Sequence, residues 1–282
     1  MAPMCAAPTT SIASSHGVRL AVYDLGGDGP PMLFAHATGF CAAIWAPVAH
    51  HLQDRHCWAL DFRCHGRSSR PDDDDLQWRG TADDVLAVVD ELGLSGADGV
   101  GHSMGGAALL MAEQRRPGTF AHLWAFEPVV IPPGSLPDDP GANSLATGAA
   151  RRRDTFPSAE AAYDNFASKP PLNTFRPESL RAYIEGGFEP ESDGSVRLRC
   201  RPADESRFYL MGGQHDAYDH LAEVTCPVTL VRGATDLGPY MFAPAVVERL
   251  PHGVLVEEPS LTHFGPMEDP ELISASIRAG TT

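Results

Sequence analysis

The chain has no apolar stretch of 18 residues, so a membrane-spanning helix is not expected. It has no C-x-x-C pair: its six cysteines (Cys5, Cys41, Cys57, Cys64, Cys200, Cys226) are scattered. A chain of 282 residues can build a core without covalent staples. The sequence therefore reads as one with free thiols in a reducing, cytoplasmic compartment. Basic residues are scarce: 21 Lys and Arg stand against 37 Asp and Glu, a formal net charge of −16. This argues against nucleic acid or an anionic membrane as the main partner, since both attract clustered cations. It leaves a small-molecule substrate open and is silent on oligomeric state. No G-x-G-x-x-G loop, Walker loop or H-E-x-x-H helix is present, so no nucleotide, other cofactor or metal is expected. Residues 1–15 lack a basic n-region and a long apolar run, and read as a flexible tail.

What is present is an ordinary globular composition, 43% hydrophobic, with short apolar runs alternating with helix-period segments. Strands are expected at Val18–Leu25, Met32–Ala37, Cys57–Phe62, Ala97–Val100, Leu123–Phe126, Val228–Val231 and Val254–Val256. Helices are expected at Ile44–Leu52, Thr81–Leu92, Gly105–Arg116, near Ala243–Leu250 and at Pro270–Ala279. Asp83 and Asp84 would then sit in a first helical turn, where the dipole favours them. Such alternation builds an α/β fold, a mostly parallel doubly wound sheet covered on both faces. The rhythm breaks between Pro132 and Leu221, where helical pieces (Ser158–Ala167, Pro177–Gly186) and one weak strand (Val196–Cys200) appear. The expected organisation is a core of residues 16–131 and 222–282, with residues 132–221 inserted as a mostly helical cap. The Asp72–Asp75 run reads as a solvated loop, and Arg151–Arg153 as a solvated helix face.

Residues 101–105 read Gly-His-Ser-Met-Gly, directly after one strand and before one helix. A serine hydroxyl is a weak nucleophile unless it is held in the open beside a base. A tight strand-to-helix turn does this and needs small residues, here Gly101, Gly105 and Gly106. His263 is the candidate base, on a loop between the last strand and the last helix. Two carboxylates compete to orient it, each at a strand's carboxyl end. Asp236 is favoured; Glu127 is the alternative, a carboxylate in an apolar strand end that needs a reason to be there. The developing oxyanion needs pre-aimed backbone donors. The candidates are the amides of Met104 and of Thr38, the latter in His36-Ala37-Thr38-Gly39-Phe40.

Taken together, these segments resemble the α/β-hydrolase superfamily, near its serine-nucleophile, cap-bearing, esterase-like branch. His36–Phe40 sits at the family's oxyanion loop, with Trp45 following. Asp61-Phe62-Arg63-Cys64-His65-Gly66-Arg67-Ser68 is similar to its D-x-R-G-H-G-x-S turn. Gly101–Gly106 matches the nucleophile elbow, and Asp236 and His263 match the acid and base positions. Two departures stand out: Ala37 and Cys64 each replace a glycine. The first is expected to shift the Thr38 amide or narrow the site, the second to change packing.

The resemblance implies a cofactor-free hydrolase cleaving an ester or similar acyl bond of a small, partly apolar substrate. Eight cap aromatics (Phe156, Tyr163, Phe166, Phe175, Tyr183, Phe188, Phe208, Tyr209) favour the apolar part. The same three side chains serve carbon–carbon bond hydrolysis of a diketone-like substrate, and a non-catalytic small-molecule sensor on this fold is a third reading.

Overall fold

The computed structural model describes residues 7–135, 143–234 and 238–281. In chain order the elements are β1 (Thr10–Ala13), β2 (Arg19–Gly26), β3 (Pro31–Ala35), α1 (Ala46–His50), β4 (His56–Leu60), α2 (Arg79–Leu92), β5 (Ala97–His102), α3 (Met104–Arg115) and β6 (Phe120–Phe126). After these come α4 (Ser144–Ala150), β7 (Thr155–Phe156), α5 (Ala159–Ala167), α6 (Pro177–Gly187), β8 (Phe188–Pro190), β9 (Val196–Leu198) and α7 (Pro202–Met211). The chain finishes with β10 (Val228–Arg232), α8 (Ala243–Arg249), β11 (Gly253–Glu257), α9 (Gly265–Glu268) and α10 (Pro270–Gly280).

Eight strands form one sheet in the order β1-β2-β4-β3-β5-β6-β10-β11. The β1–β2 and β2–β4 pairs are antiparallel; the others are parallel. Side chains alternate between faces, as the pleat requires. Leu33 and Ala35 of β3 join one apolar cluster with Val85 and Val88 of α2, Leu109 of α3 and Val246 of α8. Met32 and Phe34 join the opposite cluster with Val48 of α1 and with Ile273 and Ile277 of α10. Burying both faces of a parallel sheet in this way is what stabilises it.

Between β6 and β10 the chain leaves this sheet. It forms α4–α7 and a separate three-stranded antiparallel sheet, β7-β9-β8. Phe156, Phe166, Tyr183 and Phe188 pack ring against ring there, so part of the aromatic stock is the insert's own core.

The structure departs from the sequence expectations in four places. Thr10–Ala13, expected in a loose tail, pairs with Arg19–Val22 as an edge strand, with Ile12 buried. The helix expected over Ile44–Leu52 is a 3-10 turn (Ala42–Trp45) followed by the short α1. Helix α2 begins at Arg79, which removes Asp83 and Asp84 from its first turn. Asp84 is instead fully buried and accepts from Arg63 Nη2 at 2.7 Å and Arg63 Nε at 2.9 Å. Arg152 is likewise not on a solvated face. Its guanidinium bonds Glu205 at 2.8 Å and the Tyr183 hydroxyl, so the two charges compensate inside the insert. The acidic run does lie at the surface, with Asp73 bonded to His16 and Asp74 to Arg70 and Arg207.

Candidate active site

Ser103 sits between β5 and α3 with φ 53° and ψ −113°, outside the regions that side-chain-bearing residues favour. Such strain is sustained only where the surroundings over-determine it. Here its amide donates to the Phe126 carbonyl at 3.0 Å, and its carbonyl accepts from Ala107 and Val129. The turn also depends on a missing side chain. A Cβ on Gly105 would lie 2.1 Å from the Ala35 carbonyl oxygen. Helix α3 therefore packs against the end of β3 at a distance only glycine allows.

The neighbouring strand leads to a carboxylate, Glu127. Strands β5 and β6 run parallel with His102 opposite Phe126, so Glu127 leaves the sheet beside Ser103. Glu127 also has a positive φ, 41°, and is fully buried. Its Oε1 accepts the Gly233 amide at 2.8 Å, and its Oε2 accepts the Nδ1–H of His263 at 2.6 Å. A charge-assisted bond of this length fixes the ring's tautomer, leaving Nε2 as the lone-pair nitrogen. His263 lies on the loop between β11 and α9. Glu268 steadies that loop by accepting from the Thr262 amide and hydroxyl at 2.7 and 2.6 Å. His102 holds it as well, its Nε2–H donating to the His263 carbonyl at 2.7 Å. Asp236, the other candidate partner of His263, lies outside the described residues.

Thr38 is buried on the loop after β3, and its hydroxyl donates to the Met104 sulfur at 3.4 Å. The two candidate oxyanion residues thus touch. The Met104 amide is in the first turn of α3, where helix N–H groups lack an intrahelical acceptor. Two uncharged histidines hold the loop. His36 Nε2 accepts the Phe62 amide at 3.1 Å, and His65 Nε2 accepts the Gly39 amide at 3.0 Å. Burial depresses the pKa of both below the ordinary histidine value. Phe40, on the same loop, packs on Phe175 and Tyr183 of the insert and on Phe264, next to His263.

The family model of the alpha/beta hydrolase family matches residues 32–275. The chain is an alpha/beta hydrolase. The hydrolase is 26% identical over 279 residues to the 2-(acetamidomethylene)succinate hydrolase of Mesorhizobium japonicum, covering 94% of this chain and 96% of the relative. It is also 26% identical over 288 residues to the bifunctional esterase/perhydrolase DCH of Acinetobacter calcoaceticus, covering 95% and 98%. The solved structure of E-2-(acetamidomethylene)succinate hydrolase superposes with a TM-score of 0.80 at 24% identity, covering 96% of this chain and 98% of that one. The hydrolase carries the departures noted in its sequence at buried positions. Cys64 takes φ 64°, a left-handed backbone that explains why glycine suits the position, and burial pushes its thiol up to about 12. The five described cysteines are buried, and none of them is joined in a disulfide. Among the described residues no helix is long and apolar enough to cross a membrane, and no group of His, Cys, Asp and Glu is arranged to hold a metal ion.

His102 went unremarked in the sequence. It is the variable position of the pentapeptide, and only its three-dimensional contact with His263 singles it out.

Proposed function

We propose that this hydrolase cleaves an ester or similar acyl bond of a small, partly apolar substrate, with Ser103 as nucleophile, His263 as base and Glu127 as the acid. The observation that carries the reading is the 2.6 Å bond from His263 Nδ1 to the buried Glu127 carboxylate, beside a serine held at positive φ. His263 Nδ1 carries one hydrogen, and Glu127 already takes it, which supports Glu127 over Asp236.

In this mechanism the Ser103 oxygen attacks the substrate carbonyl carbon while His263 Nε2 takes the hydroxyl proton. The new oxyanion is held by the Met104 and Thr38 amides. Its collapse breaks the bond to the leaving group, which receives the proton from His263. Water then attacks the acyl-enzyme, giving one proton to His263; the acid departs and Ser103 recovers its hydrogen. Glu127 stays ionised throughout and stabilises the imidazolium. The segment 132–221 acts as a cap, its Phe175 and Tyr183 forming an aromatic wall with Phe40 and Phe264 on the catalytic side.

The relatives support an acyl bond: one is named for an acetamido compound and the other as an esterase. A panel of short aryl esters, N-acyl compounds and a vinylogous diketone tests the reading. Ester or amide turnover that falls by roughly 10³-fold or more in Ser103→Ala, with an unchanged melting curve, is the expected result. Wild-type rates in that variant would refute the role of Ser103, and turnover confined to the diketone would move the assignment to carbon–carbon cleavage.

A further inference from the structure

We infer that His102 is a positioning residue for the base: an uncharged strut that sets where His263 stands relative to Ser103. The inference rests on the reading of Ser103 and His263 as nucleophile and base. His102 closes β5 and is 1% exposed. Its Nε2 lies 2.7 Å from the His263 carbonyl oxygen. A carbonyl only accepts, so Nε2 carries the hydrogen. The His102 and His263 ring centroids are 4.9 Å apart, and Phe126 of β6 packs edge-on against His102 at 6.0 Å.

The consequence lies in the connectivity. His263 sits on a loop, and loops hold catalytic groups less firmly than strands do. Two bonds fix this residue to the sheet: Nδ1 to Glu127 beyond β6, and its carbonyl to His102 at the end of β5. His102 and Ser103 are consecutive. The strand that presents the nucleophile therefore also holds the main chain of the base, and their separation is set within one dipeptide. A displacement of about 1 Å at such a site lowers a rate by roughly 10²-fold.

The strut must also stay uncharged. Its ring faces His263, and His36 lies close enough to act on it electrostatically. A cation at His102 would oppose the imidazolium that forms on His263 during each turnover. Burial first, and His263 second, hold its pKa well below the ordinary histidine value.

The test compares His102→Gln, which retains an N–H donor, with His102→Met, of similar length and without one. Steady-state kinetics on an aryl ester, fluorophosphonate labelling of Ser103 and the downfield proton resonance of the His263 Nδ1–H are measured, with thermal melts as the control. The expected result is a kcat lowered about 10- to 100-fold in His102→Met with KM within about twofold, slowed labelling and a broadened resonance. His102→Gln should recover most of the kcat and a sharp resonance. Equal kcat in the two variants, or a folded His102→Gln that loses as much as His102→Met is expected to lose, would overturn the inference. If His102→Met does not fold, the His102→Gln result alone decides. Ser103→Ala run in parallel separates the two claims: retained turnover there refutes the nucleophile, whereas unaffected His102 variants beside an inactive Ser103→Ala refute only the strut.

Discussion

The Thr38 hydroxyl donates to the sulfur of Met104 at 3.4 Å, joining the loop after β3 to the first turn of α3. The two backbone amides proposed to hold the oxyanion thus belong to residues that fix one another. Thr38→Val keeps the Thr38 amide and removes only this tie. It is expected to lower kcat by less than about tenfold with KM unchanged, because a neutral hydrogen bond contributes roughly 1 kcal/mol. Steady-state kinetics on an aryl ester checks this; a 10³-fold loss would mean that the hydroxyl itself touches the reacting atoms.

The two candidate acids separate by substitution. Glu127→Gln should lower kcat by about 10⁴-fold, since an amide cannot hold the imidazole in the same tautomer or stabilise its charge. Asp236→Asn should cost less than about tenfold. The reverse ranking would return the acid to Asp236.

Stability should fall as pH drops from 7.5 toward 6. His36, His65, His102 and His215 all have pKa values lowered by burial from an ordinary 6.5. Below that value the unfolded chain binds protons that the folded one refuses, so stability is lost as pH falls, by up to ~1.4 kcal/mol per pH unit for each group. Burial raises Asp61 to about 6, and raises Asp84, which acts in the opposite sense. Stability from these carboxylates decreases as pH rises from 3.8 through their folded values, Asp61's being about 6, so they oppose the histidine slope in the range below 6.5 where the two overlap. Urea melts at several pH values check the slope, and His215→Gln should make it shallower.

Asp84→Ala should destabilise the fold by about 3–5 kcal/mol, because it leaves the buried Arg63 guanidinium without its partner. Urea denaturation at pH 7.5 measures this. A loss under 1 kcal/mol would show that water reaches Arg63.

The elbow was legible in the sequence because its signal is local: small residues on a tight turn between a strand and a helix. The parallel strands were legible for the same reason, as short apolar runs. Strand β1 was not. Thr10-Ser11-Ile12-Ala13 holds one large apolar side chain, and its place rests on backbone pairing with β2. Asp84 read as a dipole partner because Arg63, 21 positions away, becomes its neighbour only when the chain folds. Arg152 read as solvated for want of any sign that Glu205 lies opposite. The choice between Glu127 and Asp236 stayed open because both follow strands, and sequence alone does not say which carboxylate reaches a loop more than a hundred residues beyond Glu127. The contact of His102 with His263 spans 161 positions and leaves no local trace.

Added methyl groups at Gly101, Gly105 and Gly106 would each approach a neighbouring atom to within 3.0 Å. For directed evolution this divides the molecule. Libraries that randomise Gly101, Gly105 or Gly106 should yield mostly unfolded clones, whereas Phe175 and Tyr183, which meet Phe40 through side chains, can be varied without a backbone clash in the turn that carries Ser103.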